Sequence, residues 1–353
     1  MERLDIFVPL RGVFVSVELA IDRVHLRDWL VSLGLRCTGP VEVTRIGAGN
    51  SNLTFLVTDT ADRRWVLRRP PLGELLASAH DVVREARVVR ALEDTEVPVP
   101  RVLGVGAQDG VPMVLLSYVE GQVVEDIAVA QSLTPHQRRA TSLALARALA
   151  QVHAVDLAAT RLTDLASHRP YAERQLRRWS RQWEQSRTRE LPRVDHLTTR
   201  LTAAIPEQHE LTLVHGDFHL RNMIIAPTDG SITAVLDWEL CTLGDPLADL
   251  GSLLAYWCEP GELAVPGFEM TALPGFPSRQ ELVDEYLDHT GRDPAALAFW
   301  HALGLWKLAI IAEGVRRRTL DNPDNSTHAG APTTAQIDHL VDLADVVATA
   351  TGL

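Results

Sequence analysis

The segment His215-Gly216-Asp217-Phe218-His219-Leu220-Arg221-Asn222, with Leu236-Asp237-Trp238-Glu239 downstream of it, constrains this chain more than any other part. Asp217 and Asn222 are five residues apart, and Asp237 lies twenty beyond Asp217. Each short segment follows an apolar run, Leu211 to Val214 and Ile232 to Leu236, so two strands ending side by side would bring three oxygen-bearing side chains together. Phosphoryl transfer asks for such a set: one carboxylate to accept a hydroxyl proton, and an amide plus a second carboxylate to hold Mg²⁺ on nucleotide phosphates. Asp217 is therefore the candidate catalytic base, and Asn222 and Asp237 are the candidate metal ligands. His215 and His219 read as backbone props, and Trp238 as core. Asp245 and Asp249, in Gly-Asp-Pro-Leu-Ala-Asp-Leu-Gly, read as cap and buttress of the next helix.

Upstream, residues 22–33 place Val24, Leu26, Leu30 and Leu33 at helical spacing. Val41 to Ile46, Leu53 to Thr58 and Trp65 to Leu67 are strand candidates joined by turns, and Pro70-Pro71 breaks the pattern. His80 to Leu92 reads as helix, and Val102 to Val105 with Val111 to Leu116 complete a five-stranded antiparallel sheet. After Ser117 to Gln122 the chain turns helical, over Pro135 to His153, Tyr171 to Ser186, Leu247 to Tyr256, Arg279 to Thr290, Ala295 to Arg318 and Thr334 to Thr349. A hairpin with Asp229-Gly230 at its turn interrupts that series, and Cys258 to Ser278 reads as loop. The expectation is an α+β fold with two lobes: a small antiparallel-sheet lobe over 1–116, a hinge at 117–122 and a helical lobe over 123–353.

The first turn of the sheet, Gly47-Ala48-Gly49-Asn50-Ser51-Asn52, has the small residues that let backbone N–H groups approach phosphates. Gly47, Gly49, Asn50 and Ser51 are its candidate nucleotide contacts. A cation for the nucleotide phosphates is expected at the end of the third strand, held by a glutamate on the next helix. The 34 basic residues comprise 33 arginines and the single lysine Lys307, far downstream, so that cation must be an arginine. Arg68 is the choice, on the face of Val66, with Arg69 as the fallback and Glu85 as the helix partner. A guanidinium is a planar fork rather than a point charge, so the replacement changes the geometry of the contact. Ser117 and Val119, in the hinge, are assigned to adenine through their backbone on position alone.

Composition narrows the partners. A net charge of −12 speaks against nucleic acid, whose backbone wants a basic face. The apolar stretch Ile6 to Val17 follows Glu2 and Asp5 and is interrupted by Arg11, which fits neither a signal peptide nor a membrane span. Three widely spaced cysteines suit a reduced, cytoplasmic protein. Eight arginines lie between Arg169 and Arg193, with Arg174, Arg178 and Arg181 on one helical face. They suit a polyanionic substrate or, with Glu173, Glu184 and Glu190 interleaved, a solvated salt-bridged helix. Trp179, Trp183, Trp300 and Trp306 read first as core.

HGDFHLRNMI, AVLDWELCTLGDPLADLG and VLRRPPLGELLASAHDVVREARVVRAL resemble the aminoglycoside phosphotransferase-like kinases, nearest to the branch found as the kinase domain fused to acyl-CoA dehydrogenases. The likeness runs from about Val41 to about Arg318. It implies a two-lobed protein-kinase-like fold, ATP and Mg²⁺, and phosphorylation of a hydroxyl on a small molecule. By that likeness Asp217 is the catalytic aspartate, Asn222 and Asp237 the metal ligands and Glu85 the helix partner, while Arg68 departs from the lysine of many kinases. The branch is linked to hydroxyacyl-CoA acceptors, which implies a functional link to a separate acyl-CoA dehydrogenase. Two rival expectations stand beside it: an aminoglycoside O-phosphotransferase, and a nucleotide-binding pseudokinase suggested by the missing lysine.

Overall fold

The computed structural model describes residues 9–10, 13–14, 21–47, 52–70, 81–165, 169–322 and 330–352. A two-residue pair, β1 (Pro9–Leu10) with β2 (Val13–Phe14), precedes helix α1 (Arg23–Ser32). Asp22 caps α1 by accepting from the amides of Val24 and His25, which have no partner within the helix. Strands β3 (Val41–Ile46), β4 (Leu53–Asp59) and β5 (Arg64–Arg69) follow, then helix α2 (Val82–Leu92) and strands β6 (Val102–Gln108) and β7 (Val111–Ser117). The five long strands form one antiparallel sheet in the order β3-β4-β5-β7-β6.

Side-chain alternation gives this sheet two different faces. Leu26 and Leu30 of α1 pack with Val43, Phe55, Val57, Leu67 and Leu115 in one buried cluster. Arg68 falls on the opposite face, where it meets Glu85 of α2. Helix α2 starts at Val82 under an Asp81 cap; His80, where the sequence reading began it, lies outside the described residues.

Helices dominate the rest: α3 (Ile127–Ser132), α4 (Pro135–His153), α5 (Tyr171–Ser186) and α6 (Pro192–Ala203). Four short strands come next, β8 (Thr212–Val214), β9 (Met223–Ile225), β10 (Ile232–Val235) and β11 (Thr242–Gly244). Helices α7 (Leu247–Tyr256), α8 (Arg279–Thr290), α9 (Leu297–Asp321) and α10 (Thr334–Ala350) complete the chain. The sequence reading had neither α3 nor α6. Helix α6 carries polar residues on most positions and buries only Val194, Leu197 and Leu201.

The pairing of the short strands corrects one expectation. The strands that precede the two motif loops, β8 and β10, are not partners: β8 pairs with β11 and β10 with β9, both antiparallel. The loops meet instead at the end of the β9–β10 ladder, where Met223, next to Asn222, pairs with Val235, two residues before Asp237. Helix α9 is the framework on which α5, α7 and α10 pack. Its crossing with α7 is close because two glycines face each other: a Cβ on Gly251 would lie 2.4 Å from the Trp300 carbonyl carbon, and one on Gly304 would lie 2.7 Å from the Gly251 oxygen.

By contact clustering the chain forms two units, one drawn from Met1–Glu93 and Pro100–Val119, the other from Asp94–Val99 and Glu120–Leu353. The architecture is α+β, a five-stranded antiparallel sheet with a mostly helical remainder. Among the described residues no helix is long and apolar enough to cross a membrane, and the three cysteines are free.

Candidate active site

In the second unit, β8 ends at Val214 and the chain enters the loop that carries Asp217. Gly216 makes the turn at φ +86°, and a Cβ there would come within 2.8 Å of the Leu240 carbonyl oxygen, so only glycine fits. Both amides before Asp217 are held by one carboxylate of α7: Asp249 accepts from the His215 N–H at 2.6 Å and from the Gly216 N–H at 2.9 Å. Asp249 is 1% exposed. Burial alone would raise its pKa, but the bonds from His153, His215 and Gly216 outweigh that and hold it below the usual carboxylate range. Behind it, His153 Nε2 stands 3.4 Å from Asp249, and His153 Nδ1 lies 2.7 Å from the hydroxyl of Tyr286. The sequence reading gave Asp249 to the helix; its larger role is to brace the loop.

His215 joins the two motif loops. Its Nε2 donates to the Leu236 carbonyl at 2.9 Å, and its Nδ1 accepts from the Asp217 N–H at 3.3 Å. That pattern needs a neutral ring with the proton on Nε2, and burial pushes the pKa of His215 down to match. A backbone bond from Leu236 N–H to the Asn222 carbonyl, 2.8 Å, closes the same junction. Thus the loops of Asp217 and Asp237 are brought together at the end of the β9–β10 ladder, which pairs Met223 with Val235, and are tied across it by His215.

The Asp217 carboxylate is half-buried and held on both oxygens. Tyr256, the last residue of α7, donates its hydroxyl to Oδ1 at 3.1 Å. His219 Nε2 stands 3.3 Å from Oδ2, and Asn222 Nδ2 donates to Oδ2 at 3.4 Å and to the Asp217 carbonyl at 2.9 Å. Desolvation would raise the pKa of Asp217, but the interactions with His219, Lys307 and His215 overcome it and keep the group ionised. Tyr256 stacks on Phe268 at 4.5 Å, and His219 packs edge-on against both rings. Burial, then the charge of Asp217, lifts the Tyr256 phenol well above its ordinary pKa, so it stays a donor.

Asn222 gives its amide N–H₂ to Asp217, which leaves Oδ1 as the end that could ligate a cation. Asp237 is in the left-handed region, φ 66° and ψ 63°, an uncommon conformation for a residue with a side chain and one that clusters at functional sites. Among the described residues no three His, Cys, Asp or Glu side chains cluster as a metal site. One amide oxygen and one carboxylate nevertheless fit Mg²⁺, a hard cation that keeps waters and phosphate oxygens in most of its shell.

Lys307 is the residue the sequence reading placed away from the chemistry. Helix α9 carries it back to this loop, where Nζ donates to the Gly216 carbonyl at 3.1 Å. Burial lowers its pKa, while the charges of Asp217 and Asp249 act the other way. Neither Tyr256 nor Lys307 belongs to a motif. The signal available for Lys307 was its being the single lysine among 34 basic residues.

The eight arginines of 169–193 divide in the structure. Arg174 donates to the Leu243 carbonyl at 2.9 Å, Arg187 pairs with Glu190, and Arg189 and Arg193 pair with Asp338 and Asp342 of α10. Trp183, Trp300 and Trp306 are buried as core, and Trp179 is half-buried.

In the first unit, Arg68 Nη1 and Glu85 Oε1 form an ion pair at 3.0 Å, with side chains 13% and 6% exposed. Arg69 is on the buried face of the sheet with Trp65 and Leu67. Gly47 has φ +75° and open space around it; Gly49, Asn50 and Ser51 lie outside the described residues. Ser117 ends β7. Its N–H donates to the Arg101 carbonyl at 2.8 Å, which leaves its own carbonyl as the backbone group that could face adenine. Val119 lies beyond the ladder.

Known proteins share this chain's features. It is 37% identical over 324 residues to acyl-CoA dehydrogenase family member 10 of Mus musculus, a stretch that is 89% of this chain and 30% of that protein. It is 30% identical over 179 residues to an aminoglycoside 3′-phosphotransferase of Streptomyces fradiae, covering 49% of this chain and 63% of that one. The fold matches a solved structure from Ralstonia eutropha jmp134, whose name places it with the aminoglycoside phosphotransferases. There the TM-score is 0.72 and the identity 29%, over 93% of this chain and 96% of that one. Residues 42–300 match the model of the phosphotransferase enzyme family, and the chain belongs to that family.

Proposed function

We propose that the chain is an ATP- and Mg²⁺-dependent phosphotransferase acting on a hydroxyl of a small molecule, with a hydroxyacyl-CoA as the favoured acceptor class. The observation that carries the reading is the Asp217 carboxylate: ionised, partly open to solvent, oriented by Tyr256, His219 and Asn222, and joined through His215 to the Asp237 loop. In the reaction the acceptor hydroxyl oxygen forms a bond to the γ-phosphorus, the bond from that phosphorus to the bridging oxygen of ADP breaks, and the hydroxyl proton passes to Asp217. Asp217 aligns the hydroxyl and takes the proton. Asn222 and Asp237 are the residues that would hold Mg²⁺. Bound there, the ion supplies charge neutralisation for the nucleotide phosphates. Arg68, oriented by Glu85, is assigned to the nucleotide phosphates, and Gly47 with Gly49, Asn50 and Ser51 to their backbone cradle.

The acyl-CoA acceptor is favoured by the likeness to proteins named as acyl-CoA dehydrogenase family members, of which this chain spans about a third. We propose on the same ground that the phosphorylated product passes to an acyl-CoA dehydrogenase. The test is transfer of labelled γ-phosphate from ATP to hydroxyacyl-CoAs, amino alcohols and aminoglycosides. Turnover of an aminoglycoside alone would move the assignment to antibiotic modification, and absence of any Mg²⁺-dependent transfer would leave a pseudokinase. Asp217→Ala is expected to lower kcat by roughly two or more orders of magnitude while nucleotide affinity survives. Unimpaired turnover in that variant would remove Asp217 from the reaction.

A further inference from the structure

The chain uses arginine at 33 of its 34 basic positions, yet position 307 carries an ammonium. The two cations differ in shape, a planar fork against a compact point charge with three rotatable donors. Lys307 is half-buried on α9, and one of its donors goes to the Gly216 carbonyl, next to Asp217. Among the described residues no carboxylate lies within the 4.0 Å of an ion pair from its Nζ. A partly desolvated ammonium with one hydrogen bond to a carbonyl leaves two donors for something else.

A shallow half-open pocket with a volume of about 10 Å³ lies beside it, and its walls include Tyr171, Gln175, Trp179, Ser252 and Trp300 as well as Lys307. No acidic residue is among them, although the charges of Asp217 and Asp249 reach Lys307 from the loop side. The indole of Trp179 is pinned at its edge by a bond from Nε1 to Gln175 at 3.0 Å. Lys307 Nζ stands 5.6 Å from the centre of that ring, and the guanidinium of Arg178 stands 5.1 Å from it. So the cavity has an aromatic wall, neutral polar groups and the Lys307 ammonium, while the exposed Arg178 flanks the same ring without lining the cavity. That composition attracts anionic oxygen and repels a polycation.

We propose that this cavity is an anion subsite for the phosphate acceptor, in which Lys307 binds an anionic oxygen group and Trp179 packs on the carbon skeleton, making Lys307 a specificity-determining residue. The inference rests on the phosphotransferase reading of Asp217. The anion is a carboxylate or a phosphate carried by the acceptor. The same charge disfavours an ammonium group of an amino sugar at this position.

The experiment compares the whole chain with K307M, which removes the charge, and K307R, which keeps it on a different shape. Acceptors are a medium-chain hydroxy acid, its CoA thioester, its neutral amide and kanamycin. For K307M the ratio of kcat/KM for anionic acceptor over neutral amide is expected to fall by about tenfold or more, chiefly through KM, with partial recovery in K307R. A fall for the acid alone assigns the anion to the carboxylate, a fall for the thioester alone assigns it to the carrier's phosphates, and a fall for both assigns a subsite that takes either anionic oxygen. Calorimetric titration of the hydroxy acid and of CoA into wild type and K307M reads the subsite without turnover. Weaker binding to K307M in an inactive wild type would sustain the subsite and remove the phosphotransferase reading. An equal loss on charged and neutral acceptors, or unchanged ratios and binding, would overturn the subsite and leave Lys307 as a prop of the Gly216 carbonyl.

Discussion

Asp249→Asn isolates the brace behind the Asp217 loop. Asp249 is buried, and its two oxygens accept from adjacent amides, Oδ2 from His215 and Oδ1 from Gly216. An asparagine has one oxygen, so its N–H₂ must face one of those N–H groups, donor against donor. The lost bond to a charged acceptor is worth about 1.5–3 kcal/mol, and the amide left buried without a partner adds about 1–3 kcal/mol. Together they give roughly 3–5 kcal/mol, a large share of a typical folding free energy of about 5–15 kcal/mol. At the lower end Tm should fall by about 6–12 °C. Hydrogen exchange locates the effect: the amides of His215 and Gly216 should lose protection by roughly a hundredfold, one factor of ten for each ~1.4 kcal/mol. Turnover should fall with them, because the residue after these two amides is Asp217. A Tm within about 2 °C of wild type, with unaltered exchange at both amides, would refute the brace.

The remaining predictions concern the frame and the nucleotide side. Gly251→Ala puts a Cβ 2.4 Å from the Trp300 carbonyl carbon, so it should destabilise by about 2 kcal/mol or more despite the better helix propensity of alanine; wild-type Tm in calorimetry would show that α7 and α9 can separate freely. Arg68→Met removes the ion pair from Glu85, which is 6% exposed, and should lower stability by about 3 kcal/mol, and adding Glu85→Gln should restore part of it without restoring nucleotide affinity. Full additivity in that double-mutant cycle would deny the pair. Burial lowers the pKa of His301 to about 4 and that of His153 in the same direction. With folded values below the unfolded ~6.5, the unfolded chain takes up protons first as pH falls, so stability is lost from about pH 6.5 down towards pH 4. For His301 the loss reaches at most roughly 2 kcal/mol by pH 5. Urea midpoints measured from pH 7 to pH 5 should fall in wild type and fall less in His301→Gln; equal slopes would place the proton elsewhere.

Much of the frame was legible before any coordinates. Strands β3, β4, β5 and β7 fall where residues 41–46, 53–58, 65–67 and 111–116 read as strands; β4 and β5 bury every second residue, whereas β7 buries Met113 to Leu116 in succession and was legible as an apolar run. Helices α4 and α8 begin at capping boxes, Thr134 with Gln137 and Ser278 with Glu281, which are local in sequence and so readable there. The register among β8, β9, β10 and β11 was not legible, because strands of three or four residues carry too few side chains to specify a partner.

The sequence by itself determined which oxygen-bearing groups stand on the two loops: Asp217, Asn222 and Asp237 come at short range, within a motif whose spacing is covalent. It also determined that any cation at the end of β5 is an arginine, since composition leaves no other. Only the tertiary structure decided what holds those groups. Asp249 lies 32 residues from Asp217, Tyr256 lies 39 and Lys307 lies 90, and neither Tyr256 nor Lys307 belongs to a motif. They reach the loop because α7 and α9 cross closely at Gly251 and Gly304, and a contact made by packing two helices leaves no trace in the spacing of either one.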